Sequence, residues 1–323
     1  MIAKKSTRPK PKKWLPRDHP KYIEEIEKVD VPLRRVLGAN LYVRAKARGE
    51  REAVLKLWEH FLERADPDLQ WWYDSNVERL RPFEDRYRDF PARALAATPK
   101  KLAYWNVHSG DRARDAGALH FSAMLGASAK VDEQLDSFSW TGRGESPLES
   151  LLGEALEFAQ TTEVRHGTLG LSLSLPATSK RPLYHGHMYA ACARFQGLDF
   201  PETFERASCL DGIPTSNWVT FVHQTFLKKL GGATKLRKTL SREIVFHEVL
   251  EGIAIQAGPR PLLGDVNAGE DLPLYYEVGR ALAPIRSGTA YRGRWRLHFG
   301  GPNEQRNNFN TEETAAWLSR FER

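Results

Sequence analysis

Two histidine-containing segments are the first candidates for metal chemistry. Residues 247–251 (HEVLE) differ from the H-E-x-x-H zinc motif by a glutamate at the position of the second histidine. The segment is also typical of a β-strand, on which residues four apart are separated by ~13 Å and do not share one ion. Residues 185–187 (HGH) do not converge on one ion if they are helical, and the sequence offers them no identifiable third ligand. We therefore expect neither a metal site nor a cofactor.

Motifs for nucleotide binding and covalent catalysis are not found either. The sequence contains no G-x-G-x-x-G, no G-x-x-x-x-G-K-[ST] and no G-x-S-x-G pattern. Its two cysteines, Cys192 and Cys209, are too few for a thiolate zinc site. The alanine-rich helical run around Cys192 favours a buried, inert thiol. The residues thus assign no reaction, and an enzyme with an unrecognised active site remains one alternative.

A set of arginines near the C-terminus has the spacing of a binding surface. On a strand predicted over residues 291–299, Arg292, Arg294 and Arg296 share one face. Side chains two apart on a strand lie ~6.6 Å apart, and guanidinium groups at this spacing suit carboxylates or phosphates. This arginine ladder is therefore a candidate contact for an acidic partner or a nucleic-acid backbone. The alternative interpretation is a solvated strand face.

The positive charge of the chain is concentrated in its first residues. Residues 1–21 hold eight lysines or arginines and one aspartate, which accounts for the whole net charge of +7 of this 323-residue chain. The remaining 302 residues balance 40 cations with 40 anions. Prolines are also frequent in the same stretch, so we predict a disordered or extended basic tail over residues 1–30. Nucleic acid would be contacted through this tail and the arginine ladder.

The sequence also predicts where the protein works. No stretch approaches the ~18 apolar residues that span a membrane. The tail lacks the apolar segment of a secretory signal peptide. We therefore expect a protein that stays in the cytoplasm and does not bind membranes.

Hydrophobic periodicity predicts an α+β fold, with mixed or antiparallel sheets and packed helices in one large domain or two intimate subdomains. The predicted strands are 41–45, 102–107, 117–125, 169–175, 244–250, 253–257 and 291–299. The predicted helices are 54–65, 148–159, 184–195, 218–230 and 275–285. A globular domain is expected over residues 31–300, followed by a C-terminal extension over 301–323.

An ordered series of glycine-, proline- and tryptophan-containing segments occupies the second half of the chain. These segments are 195–199 (FQGLD), 213–221 (IPTSNWVTF), 230–232 (LGG), 252–261 (GIAIQAGPRP), 263–269 (LGDVNAG), 272–275 (LPLY) and 282–286 (LAPIR). The series resembles the bacterial type VI secretion immunity family. The resemblance covers residues 33–300 and is concentrated in 195–286.

This resemblance implies a protein that is not an enzyme. Members of the family are encoded beside antibacterial toxins and protect the producing cell by binding the cognate secreted toxin; some are paired with nucleases. A protector in the cytoplasm implies a toxin whose target lies there, such as nucleic acid or a nucleotide. The alternative function is a nucleic-acid-associated protein that uses the basic tail and the arginine ladder.

Within the resemblance, most motif residues are expected to specify the scaffold. Trp218 and Tyr275 are predicted core residues, and the glycines and prolines suit turns and helix ends. Asp265 lies in a glycine-rich turn. Either its carboxylate stabilises that turn, or it contacts the partner protein together with the arginine ladder.

Overall fold

A computed structural model describes most of the globular chain. The described residues are 33–45, 47, 49–75, 79–96, 103–113, 115–126, 135–142, 148–175, 185–199, 210–287 and 311–322, with the backbone alone for 185–189 and 311–314. The predicted basic tail, Cys209, the strand predicted over 291–299 and its residues Arg292, Arg294 and Arg296 lie outside them. The predicted domain boundaries near residues 30 and 300 also fall outside them.

The described strands form one open, antiparallel sheet of ten strands. They are β1 (Arg34–Arg44), β2 (Trp71–Asp74), β3 (Arg81–Pro82), β4 (Ala103–His108), β5 (His120–Leu125), β6 (Leu135–Gly142), β7 (Val164–Ser174), β8 (Val219–His223), β9 (Ile244–Val249) and β10 (Gly252–Ala257). Their order across the sheet is β3-β2-β4-β5-β6-β1-β7-β8-β10-β9, and every neighbouring pair is antiparallel.

Helices follow or connect these strands, which confirms the α+β prediction. They are α1 (Glu50–Ala65), α2 (Phe90–Ala96), α3 (Leu148–Thr161), α4 (His185–Arg194), α5 (Gln224–Lys229), α6 (Ala233–Thr239), α7 (Pro273–Leu282) and α8 (Thr311–Leu318). Single 3₁₀ turns occur at Asp85–Tyr87 and Ala283–Ile285. The hydrophobic core is continuous through residues from Leu37 to Phe321.

The helix predicted over residues 218–230 is wrong. Its first half is the interior strand β8, which pairs with β7 and β10, and α5 begins only at Gln224. Every residue of β8 is buried, so its apolar side chains match a helical spacing without forming a helix. The predicted end is correct, because Gly231 and Gly232 have φ angles of 86° and 91° that suit glycine.

The apolar face of the sheet is covered by two helices. Trp58 of α1 packs edge-on against Phe121 of β5 with ring centroids 5.1 Å apart. Phe158 of α3 lies 5.3 Å from Phe138 of β6. Every second residue along these strands thus directs an apolar side chain to this face, as the predicted period of two requires.

A buried carboxylate joins both covering helices to the sheet. Glu154 of α3 accepts hydrogen bonds from Arg64 Nε of α1 at 3.0 Å and Arg64 Nη2 at 3.1 Å. Its Oε2 atom also accepts from the Trp140 indole of β6 at 3.0 Å. The charge is therefore paired where it is buried, as a stable core requires.

The C-terminal segment packs into the same core. Phe321 is fully buried, and its backbone passes so close to Gly279 of α7 that a Cβ there would lie 2.2 Å from the Phe321 carbonyl oxygen. Arg320 is 2% exposed. Its guanidinium donates to the carbonyl oxygens of Gln196 at 2.7 Å and Leu198 at 3.1 Å. The end of the chain is thus attached to the loop that follows α4.

Replacing Arg320 should destabilise the protein, because Arg320→Leu removes these donors and leaves their buried acceptors unpaired. We expect the free energy of unfolding to fall by about 3 kcal/mol. Arg93→Leu is the control, because this arginine is exposed on α2. Urea unfolding of both variants measures the difference, and equal stabilities would contradict a role for Arg320 in attaching the C-terminal segment.

Candidate functional site

Groups capable of chemistry occur on the second face of the sheet, where they form a buried polar layer. The register of six adjacent strands aligns Asn106, Ser122, Ser139, Asn40, Thr168 and Thr220 in one row. None of these residues is more than 7% exposed. The sequence signal for this layer is the regular alternation of apolar and polar residues, as in Phe138-Ser139-Trp140.

Two histidines flank this row on β4 and β5. His108 and His120 are directly opposite each other in the register. His120 Nε2 lies 2.5 Å from Asn106 Nδ2, and His108 Nδ1 accepts from the Gly110 amide at 3.2 Å. Burial, together with the neighbouring His120, lowers the pKa of His108 to about 3. His108 is therefore neutral near pH 7 and acts within the sheet as a hydrogen-bonding group.

A third buried histidine occupies β7. His166 stacks on Tyr42 with ring centroids 6.1 Å apart, and its Nδ1 atom donates to the Phe221 carbonyl oxygen at 3.2 Å. Burial lowers the pKa of His166 to about 3. Among the described residues, no group of three or more His, Cys, Asp or Glu side chains is placed to hold a metal ion. The geometry of the layer suits internal hydrogen bonding.

Asp265 takes part in two contacts within the chain. Its carboxylate forms a bidentate ion pair with Arg194 of α4, with distances of 2.9 Å and 2.6 Å. It also accepts from the Asn267 amide at 2.9 Å, the contact that defines an Asx turn. The Arg194 guanidinium lowers the pKa of Asp265. The turn role is therefore observed, and contact with a partner stays a prediction.

The structure also places most of the other residues that the sequence analysis singles out. Cys192 is a buried free thiol whose pKa is raised by that burial, as the sequence predicts. His247 lies on strand β9, as predicted, where its Nε2 atom is 2.8 Å from Gln256 Oε1 of β10. The side chains of His185 and His187 lie outside the described residues. Trp218 and Tyr275 are buried core residues, as predicted.

An exposed surface lies at the β9 edge of the sheet. We call β9, β10 and their connection the terminal hairpin (residues 244–257). Val245 and Leu250 of this hairpin are 44% and 48% exposed, and Leu262 of the following loop is 37% exposed. These three are the exposed large hydrophobic residues of the described chain. Val245 and Leu250 lie within and directly after the edge strand, and exposed apolar residues at a sheet edge are typical of an interaction surface.

A strongly basic segment adjoins the terminal hairpin. Residues 224–242, which include α5 and α6, contain no aspartate or glutamate. Their exposed cations are Lys228, Lys229, Lys235, Arg237, Lys238 and Arg242. Arg237 connects the segment to β9, because its guanidinium pairs with Glu248 and lies 5.2 Å from the centroid of the Phe246 ring. Because residues 22–323 carry equal numbers of cations and anions, their net charge does not show this local excess of positive charge. The excess is visible in the sequence of the segment itself.

The chain is thus an α+β protein built on one open antiparallel sheet. A family model described as "Type VI immunity for VRR-NUC" (TsiV) matches residues 53–321. The chain therefore belongs to this family of type VI secretion immunity proteins, as the resemblance predicts. The match extends to residue 321, so it includes the C-terminal segment that the resemblance had left out.

A solved structure gives independent support for the fold. The Pseudomonas aeruginosa T6SS protein PA0821 superposes with a TM-score of 0.78 at 21% sequence identity, covering 93% of this chain and 90% of that one. A search of curated proteins found no significant match. Within the described part of the chain, no helix combines the length and apolarity needed to cross a membrane.

The buried histidines predict a pH-dependent stability. His108 and His166 have native pKa values of about 3, whereas an unfolded histidine titrates near ~6.5. As the pH falls below ~6.5, these histidines are protonated in the unfolded chain but stay neutral in the native protein. The free energy of unfolding therefore falls by up to ~1.4 kcal/mol per pH unit for each histidine.

Urea unfolding between about pH 7 and pH 5.5 measures this effect above the titration range of ordinary carboxylates. Stability should fall across this range in the parent protein. The double variant His108→Asn/His166→Asn should lose stability overall but show a smaller dependence on pH. An unchanged slope in this variant would contradict the assignment of neutral native histidines.

Proposed function

We propose that this protein neutralises a type VI secretion toxin of the VRR-NUC type by binding it in the cytoplasm of the producing cell. The observation that carries this proposal is the family match over residues 53–321, whose description joins immunity to VRR-NUC. The partner is then a nuclease. Its substrate is nucleic acid, so the protector has to meet it in the cytoplasm.

Neutralisation by binding requires a rigid scaffold and an accessible surface. The continuous core and the paired Glu154 support the first requirement. The terminal hairpin and its basic neighbour support the second, since stable protein–protein interfaces bury roughly 1,200–2,000 Å² and contain apolar contacts. The proposal does not require this chain to catalyse a reaction.

The internal contacts of the titratable groups also favour a scaffold. His108 and His166 are neutral and hydrogen-bonded to the backbone. The Asp265 carboxylate is occupied by Arg194, and the Cys192 thiol is buried with a raised pKa. A catalytic acid, base or nucleophile needs access to substrate and a pKa near the working pH, which these groups lack.

Co-expression with a candidate cognate toxin of the VRR-NUC type tests the function. Bacteria producing the toxin alone should die, and bacteria that also produce this protein should survive, because the complex removes the free nuclease. The two proteins should also co-purify. An unrelated protein expressed to the same level is the control. Continued killing together with a failure to co-purify would refute the proposal for this pair.

A further inference from the structure

We propose that the toxin is held by strand addition: an extended, acidic segment of the toxin pairs with the outer edge of β9, which has no second partner among the described strands, beside the basic segment 224–242. This inference rests on the proposed function and adds to it the surface and the chemistry of the contact. Three observations carry it, namely the state of the two sheet edges, the exposed apolar residues and the distribution of charge.

The two edges of the sheet differ in their protection. One edge is β3, which has only two residues, an arginine and a proline. The other is β9, whose six residues pair in unbroken register with β10 and, among the described strands, with no other. Short strands, prolines and charges are the usual means of blocking an edge. The β9 edge lacks proline, and its one charged side chain, Glu248, is paired with Arg237.

An unblocked edge is a template for another strand. The N–H and C=O groups that point away from β10 alternate along β9, and an incoming extended segment can pair with them. Val245 and Leu250, which are the most exposed large hydrophobic residues described, lie within β9 and directly after it. They supply apolar contacts beside the backbone hydrogen bonds.

The charge beside this edge selects the incoming segment. Six exposed cations and no acidic residue occur in segment 224–242. Of the nearby glutamates, Glu248 pairs with Arg237 and Glu251 accepts a hydrogen bond from Gln224. Glu243, exposed directly before β9, offsets one of the six cations. The excess positive charge therefore complements carboxylates, which speeds association and fixes the position of the added strand. An acidic segment of the toxin meets both conditions.

Binding measurements with a catalytically inactive form of the cognate toxin test the edge. The double variant Val245→Asp/Leu250→Asp places like charge beside an acidic strand, and we expect its Kd to rise at least about tenfold. Both side chains are exposed, so the fold should persist, which circular dichroism checks. Leu262→Asp is a control, because this exposed leucine lies in the loop after β10, outside the terminal hairpin. It should bind as the parent protein does.

A matched pair of triple variants tests the charge. Lys228→Glu/Lys229→Glu/Lys235→Glu should weaken binding and slow association. The control Arg51→Glu/Arg79→Glu/Arg93→Glu makes the same change in charge at exposed positions outside segment 224–242 and should leave binding unchanged. Similar losses in both triple variants would overturn the assignment of the basic segment.

Hydrogen–deuterium exchange of the full chain distinguishes strand addition from other contacts. When the toxin binds, alternate amides of β9 should exchange at least about tenfold more slowly. Unchanged exchange in β9, with protection elsewhere, would overturn this inference while leaving the proposed function intact. A parent protein that neither binds nor protects would instead refute the proposed function. If the Lys228/Lys229/Lys235 variant lost binding to a DNA duplex but kept binding to the toxin, the basic segment would be a nucleic-acid site and the inference would be wrong.

Discussion

The structure depends on covering the apolar face of a sheet that is ten strands wide. Helices α1 and α3 provide this cover through aromatic contacts such as Trp58 with Phe121. The Glu154 carboxylate then ties both helices to β6 by accepting from Arg64 and Trp140. Because close packing leaves little freedom in such a core, the strands and their edges are held in fixed positions. A fixed surface binds a partner with a small cost in ordering.

The opposite face of the sheet has a different constraint. From β4 to β8 this face carries a row of buried polar side chains, and buried polar groups have to be hydrogen-bonded within the protein. The contacts of His108, His166 and Thr168 with Gly110, Phe221 and Asp199 meet part of this requirement. Among the described residues, Asn106 Oδ1, His108 Nε2 and Ser139 Oγ are buried without a hydrogen-bond partner. These polar side chains therefore help to hold strands and loops together. The surface proposed for recognition is instead the β9 edge of the sheet and the basic segment beside it.

Much of the fold could be predicted from the sequence, because local patterns determined it. The terminal hairpin, α1 and α7 follow from periodicity, and the Gly231-Gly232 helix end follows from glycine chemistry. The β8 strand could not be predicted, because Trp218 and Val222 fit a helical spacing and only pairing with β7 and β10 decides their state.

The candidate site was less predictable than the fold. Asp265 was correctly placed in a turn, but its partner Arg194 is 71 residues away, and no local pattern indicates that contact. The edge position of β9 depends on the order of strands, which is a property of the whole sheet. The basic segment is visible in the sequence, but its proposed role in binding depends on its position beside that edge. Arg292, Arg294 and Arg296 lie outside the described residues, and their contact with a partner stays a prediction.

We propose that this protein neutralises its toxin by binding it and blocking its activity, and that the bound toxin is not chemically altered. Titrating the purified toxin with this protein, and following cleavage of plasmid DNA, tests the claim most directly. Nuclease activity should fall in proportion to the protein added and vanish at an equimolar ratio, and active toxin should be recovered when the complex is dissociated. Loss of activity at a small fraction of an equivalent, or a toxin that remains inactive after separation, would contradict the account.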